Sequence, residues 1–139
     1  MVDLFRAKCR LPVEEAEDKQ SLEAGTIYFA PPDYHLLVET DRNLSLSSDE
    51  PVLFSRPSID ILFESAADAF GPDLVAIVLT GANRDGADGL AAVHKAGGTA
   101  IVQNPESAHA RAMPEAAIQS CPSAIVLSLD AIAEYLKEV

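Results

Sequence analysis

The sequence predicts an α/β layered domain built on a mostly parallel sheet. Two patterns carry that expectation. From residue 57 onward, segments of helical period alternate with short apolar runs, the order in which a parallel sheet and its crossover helices are laid down. Residues 74–79 (Leu-Val-Ala-Ile-Val-Leu) form a continuous apolar run between turn residues, as expected of a strand buried on both faces. Length agrees: 139 residues, 48% of them apolar, make one domain with enough material for a core.

Residues 2–9 place Val2, Leu4, Phe5 and Cys9 on one side of a short amphipathic helix, entered without a cap or lead-in. Val13 opens a short segment that runs into the acidic stretch Glu14-Glu15-Ala16-Glu17-Asp18, expected as a solvated loop. Gly25 turns the chain into a strand over residues 26–30, stopped by Pro31-Pro32-Asp33. Residues 35–39 read as a second strand. Asp41-Arg42-Asn43 is a turn, and residues 44–47 alternate as a half-buried third strand, so the three predict a small antiparallel hairpin or meander.

After Pro57-Ser58 the period changes. Ile59, Ile61, Leu62, Phe63, Ala66, Ala67 and Phe70 mark a helix that ends at Gly71-Pro72. The strand at 74–79 follows, then a turn over 80–86, then a helix over 87–96 with Leu90, Ala91 and Val93 inward, closed by Gly97-Gly98. A strand at 100–103, a short helix at 113–118 with Pro114 in its first turn, a strand at 124–127 and a helix at 130–137 complete the chain.

Ten basic residues against 22 acidic ones give a net charge of −12 with histidine neutral. No cationic footprint is present for nucleic acid phosphates or for an anionic membrane surface. No run approaches the ~18 apolar residues of a membrane-crossing helix. Residues 1–6 carry a charge at every third position and no apolar stretch, so they do not read as a signal peptide. Cys9 and Cys121 stand far apart with no C-x-x-C, which suits small apolar residues in a reducing cytoplasm.

In open α/β sheets ligands sit beyond the carboxyl ends of the strands. The richest such end is Leu79-Thr80-Gly81-Ala82-Asn83-Arg84-Asp85-Gly86-Ala87-Asp88-Gly89, with three of the seven glycines. A phosphate loop fails, because Ala87-Asp88 stands where Lys-Ser/Thr is required and Asp85 and Asp88 repel an anion. A calcium loop with Gly86 sixth fails, because Gly81 and Ala92 occupy positions that need carboxylates. Two readings of Asp85 stay open: a carboxylate that orients a catalytic histidine, or a cap for the helix that follows it. His35, His94 and His109 show no ligand spacing, and no G-x-S-x-G elbow occurs. A triad rebuilt from His35 or His109 and an internal serine is the remaining internal route.

Four ordered pieces carry a resemblance: Gly25-Thr26-Ile27-Tyr28-Phe29-Ala30-Pro31, Arg56-Pro57-Ser58-Ile59-Asp60-Ile61-Leu62-Phe63, Leu79-Thr80-Gly81 with Asp85-Gly86-Ala87, and Met113-Pro114. From about Leu11 to the end, the chain resembles the catalytic domain of the chemotaxis protein-glutamate methylesterases (CheB), in the form that stands without a receiver domain. The resemblance implies a Rossmann-like three-layer fold. It implies hydrolysis of glutamate methyl esters on the cytoplasmic domains of methyl-accepting chemoreceptors, with deamidation of receptor glutamines in some members. It implies a cytoplasmic protein needing neither metal nor organic cofactor. Asp85 matches the family's triad aspartate, and Gly81, Ala82, Asn83, Arg84 and Gly86 fall in its substrate-cleft loop, where the family usually carries Gly-Met-Gly.

The family serine, in Gly-x-Ser-x-Gly-Gly, and the family histidine both align upstream of Met1. The expectation is therefore a partial domain over residues 1–139 that lacks an N-terminal βαβ portion. Such a chain is expected to be inactive by itself and, with a bare sheet edge, to self-associate, as a swapped or edge-paired homodimer. The competing expectation is a non-catalytic module of the same fold that docks on receptors or signalling proteins.

Overall fold

The computed structural model describes residues 10–138; the helix expected over 2–9 lies outside the described residues. Among the described residues, three sheets and four α-helices are laid down in the order β1 (Val13–Glu15), β2 (Ile27–Phe29), β3 (His35–Val38), β4 (Leu44–Ser47), α1 (Ile59–Phe70), β5 (Val75–Val78), α2 (Ala87–Lys95), β6 (Thr99–Gln103), α3 (Ala112–Ser120), β7 (Ile125–Leu127) and α4 (Leu129–Lys137). Short 3-10 turns at Gly71–Asp73 and Pro105–Ser107 link α1 to β5 and follow β6.

β5, β6 and β7 form the parallel sheet in that order, Ile77 opposite Ile101 and Ile101 opposite Ile125. Strand alternation divides it into two faces. Ala76, Val78, Ala100 and Val102 point to one face, where Leu90 and Val93 of α2 and Ala117 and Cys121 near α3 close a dry core. Ile77 and Leu79 point to the other face, where they line a groove together with Leu129, Ile132, Ala133 and Leu136 of α4. Helices thus cover both faces, and the three-layer expectation holds. Full burial on both faces of β5 does not. Leu79, Leu129 and Leu136 are each about half exposed.

α1 joins the two halves. Apolar positions spaced three and four apart give it two buried faces. Ala67 packs into the core beneath α2, and Ala66 packs into a second cluster with Ala16, Leu36, Val38 and Leu44. Its helical path stops at Gly71, whose φ of 53° admits glycine at little cost, and Pro72 follows.

β3 and β4 make the expected hairpin, Leu36 opposite Leu46 and Val38 opposite Leu44. The strand at Ile27–Phe29 does not extend that hairpin into a meander. It pairs parallel with β1, Val13 opposite Ile27, inside the stretch expected to be a loop. Glu14 and Glu15 are exposed as a solvated stretch should be, yet Val13 and Ala16 on either side are buried. Those two anchors draw the acidic segment into a ladder that Ala16 N–H, donating to Phe29 O at 2.8 Å, continues.

Candidate functional site

The turn from β5 to α2 lies at the carboxyl end of the parallel strands, and the N-terminus of α1 comes to the same place. Asp85 is 3% exposed. Its Oδ1 accepts from Ser58 Oγ at 2.9 Å and from the Asp60 N–H at 3.0 Å, and its Oδ2 accepts from the Ile59 N–H at 2.7 Å. Asp85 therefore caps a helix, but not the one that follows it in sequence. It caps α1. Ser58, the N-cap residue by position, makes no cap bond to its own helix and gives its hydroxyl to Asp85 instead.

The service is returned by Asp60. Gly86 begins α2 with a φ of 98° and no side chain to cap with. Asp60 Oδ1 accepts from the Gly86 N–H at 3.0 Å and the Gly89 N–H at 2.7 Å. Burial pushes the Asp60 carboxyl above its ordinary range, and the charges of Asp85 and Asp88 push the same way against the two glycine N–H bonds. Close approach makes the exchange possible. A Cβ on Gly89 would sit 2.8 Å from Phe63 Cβ and 3.0 Å from Asp60 Cα.

His35 holds the loop that leads into α1. It is fully buried. Its Nδ1 accepts from the Ser58 N–H at 3.1 Å, so Nε2 carries the hydrogen and donates to Glu50 O at 2.9 Å. One ring thus fastens both ends of residues 50–58, while Arg56 Nη1 donates to Ser48 O at 3.0 Å and Asp49 O at 3.2 Å. Between these anchors Leu53 and Phe54 both adopt positive φ in a tight turn, with Phe54 fully exposed at its tip.

The expected loop residues separate into three groups. Asn83 Oδ1 accepts from the Asp85 N–H at 2.9 Å, an Asx turn that aims the aspartate inward. Gly81 is held from outside the loop: its N–H donates to Ala110 O, its carbonyl accepts from the Met113 N–H, and Met113 fills the space where a Cβ would stand. Ala82 and Arg84 are exposed, and Arg84 spends its guanidinium on Asp88 at 3.3 Å.

His35, Ser58 and Asp85 lie together without forming an internal triad. His35 receives the backbone N–H of Ser58, not its hydroxyl, and Ser58 Oγ donates to a carboxylate at 2% exposure, so it is neither activated nor reachable. His109 sits in the 104–111 loop, whose Ala110 is tied to Thr80 Oγ1 at 2.7 Å. Sequence reasoning missed Asp60 and His35 as site residues. The signal for Asp60 was its place two residues after Ser58, at the start of the helix.

In chemical terms Asp85 is a buried carboxylate with three donors filling three of its roughly four lone-pair sites. Among the described residues the remaining site, on Oδ2, has no donor.

Residues 1–136 match the family model described as CheB methylesterase. A relative from Leptospira interrogans, named for a protein-glutamate methylesterase/protein-glutamine glutaminase, is 48% identical over 126 residues, covering 91% of this chain and 65% of the relative. A Rhodospirillum rubrum protein-glutamate methylesterase/protein-glutamine glutaminase is 41% identical over 129 residues, covering 91% of this chain and 33% of that protein. The crystal structure of the Thermotoga maritima CheB methylesterase catalytic domain superposes with a TM-score of 0.92 at 29% identity, covering 99% of this chain and 74% of that one. The chain thus spans just under two thirds of the first relative and a third of the second.

Proposed function

The chain belongs to the CheB methylesterase family, and from that premise we propose that it supplies the aspartate of a Ser-His-Asp hydrolase acting on glutamate methyl esters of chemoreceptor cytoplasmic domains. The serine and histidine come from the part of the family's length that this chain does not span. In the reaction the serine Oγ attacks the ester carbonyl and the histidine takes its proton. The same histidine then protonates the departing methoxide, which leaves as methanol, and water resolves the acyl-enzyme. Asp85 holds the histidine in the productive tautomer and stabilises the imidazolium. A side-chain amide in place of the ester makes the same cycle a glutamine deamidation, the second activity in the relatives' names. Neither step calls for a metal or an organic cofactor, and both take place in the cytoplasm, where receptor signalling domains lie.

One observation carries the reading: at the carboxyl end of β5, Asp85 is buried and held by three donors from the start of α1, and among the described residues one lone pair of Oδ2 has no donor. A carboxylate so fixed cannot swing away from a histidine it orients. Gly81, Ala82, Asn83, Arg84 and Gly86 are the loop that frames this position.

The test is reconstitution. The chain is joined to the amino-terminal segment of the Leptospira relative and methanol release is followed from a methylated receptor fragment. Release that Asp85→Asn abolishes supports the proposal. A folded hybrid that releases none overturns it, and receptor capture unaffected by Asp85→Asn would point to the docking module instead. Self-association through the edge of β5 is a separate expectation, and a sedimentation mass that stays monomeric at high concentration would refute it.

A further inference from the structure

Asp60 does more than its capping duty requires. Both N–H groups it serves, those of Gly86 and Gly89, reach the same oxygen, Oδ1. An asparagine side-chain oxygen meets that demand without a charge. The chain instead keeps a second buried carboxylate directly behind Asp85, and the Asp60 backbone N–H itself donates to Asp85 Oδ1 at 3.0 Å. Apart from those two N–H groups at the start of α2, the surroundings oppose the charge. Asp85 and Asp88 act on it from the α2 turn, and Glu64 stands on its own helix with Asp68 beyond. Arg84, the cation of that turn, is paired to Asp88. Burial, with the charges of Asp85 and Asp88, pushes the Asp60 carboxyl upward against the Gly89 and Gly86 N–H bonds, and Glu64 is pushed up as well, mainly by burial with Asp60, Asp88 and Asp68 adding to it.

We propose that Asp60 is a positioning residue for the hydrolysis, its charge acting through Asp85 to favour the imidazolium that forms when the serine loses its proton. This rests on the role given above to Asp85. Both carboxylates are buried, Asp60 at 8% and Asp85 at 3% exposure, so solvent screens the one from the other only weakly. The effect of the Asp60 charge belongs to the step in which the imidazole gains a positive charge, so it stabilises the transition state more than the ground state. A costly group retained beside a catalytic one is the pattern expected of a tuned site.

The reconstituted hybrid described above tests it with Asp60→Asn, Asp60→Ser and Asp85→Asn. Asp60→Asn keeps the oxygen that Gly86 and Gly89 need and removes only the charge. It is expected to lower kcat about tenfold with KM within about twofold, and to move the acid limb of kcat/KM to lower pH, because the histidine loses a proton more readily. Asp60→Ser, neutral and smaller, is expected to move that limb the same way even if its thermal midpoint falls. Activity that drops at every pH in step with the folded fraction, or that stays at the wild-type level and profile, makes Asp60 a cap only and overturns the inference. In either case Asp85→Asn remains inactive, which leaves the assignment of Asp85 standing. An inactive parent hybrid removes that assignment, and this inference with it.

Discussion

Asp60 and Asp85 cap each other's helices: Asp85 Oδ1 accepts the N–H of Asp60 at 3.0 Å, and Asp60 Oδ1 accepts the N–H of Gly86, the residue after Asp85, at 3.0 Å. Each carboxylate meets the positive end of the other helix, α2 for Asp60 and α1 for Asp85, which offsets part of their mutual repulsion. The exchange locks α1 against α2 at the point where the site is built, so fold and site share the same bonds.

Replacing Asp85 with Asn should cost stability as well as activity. Asparagine offers one acceptor oxygen to a position with three donors, and its NH₂ would face an N–H. The unpaired group costs about 1–3 kcal/mol, measurable as a lower urea midpoint. In the reconstituted hybrid the same change should lower kcat by about 10⁴, the scale of losing the correct histidine tautomer. An unchanged midpoint would mean that Asp85 does not hold α1.

Gly89 is where the two helices touch. Alanine there would bring a methyl group to 2.8 Å from Phe63 Cβ and 3.1 Å from Asp60 Oδ1. Helical alanine is intrinsically favourable, so any loss comes from pushing α1 away. We expect Gly89→Ala to destabilise by about 1–3 kcal/mol in thermal unfolding. A stabilised variant would show that the helices have room to spare.

His35→Ala should loosen the loop before α1. It leaves Glu50 O and the Ser58 N–H without their shared partner and opens a void at a fully buried position. The expected cost is about 2–5 kcal/mol. Limited proteolysis should nick residues 50–56 faster than in the parent, Phe54 standing exposed there already. Equal cleavage rates would mean that Arg56 alone pins the loop.

The pH dependence of stability follows from Asp60. Its folded-state carboxyl is raised above the ordinary value of 3.8. A raised carboxyl contributes stability that is complete below the unfolded value and is lost as pH rises through the folded one. Above the folded value that contribution is gone and the buried charge is a cost. Asp60→Asn should therefore raise the thermal midpoint at pH 7, and the gain should vanish by about pH 3. A gain that persists unchanged at acid pH would place its origin elsewhere.

Local pattern was enough for much of the fold. The apolar run at 74–79, the helical spacing from Ile59 to Phe70 and the glycines at 97–98 each state their element through interactions within a few residues, and the parallel order follows from alternation. The pairing of β1 with β2 was not legible. Three residues, two of them glutamates, carry too little period to announce a strand, and the partner lies more than ten positions away.

The same boundary runs through the site. Sequence placed Asp85 at a strand end and offered two roles for it, a cap for the next helix or an orienting carboxylate. Only the packing of α1 on α2 decided that the cap it makes is for α1, that Asp60 repays it, and that His35 fixes Ser58 from 23 residues away. A residue's identity limits what it can bond to. Which donors surround a buried carboxylate is set by elements distant in the chain, and those meet only when the core that joins them has formed.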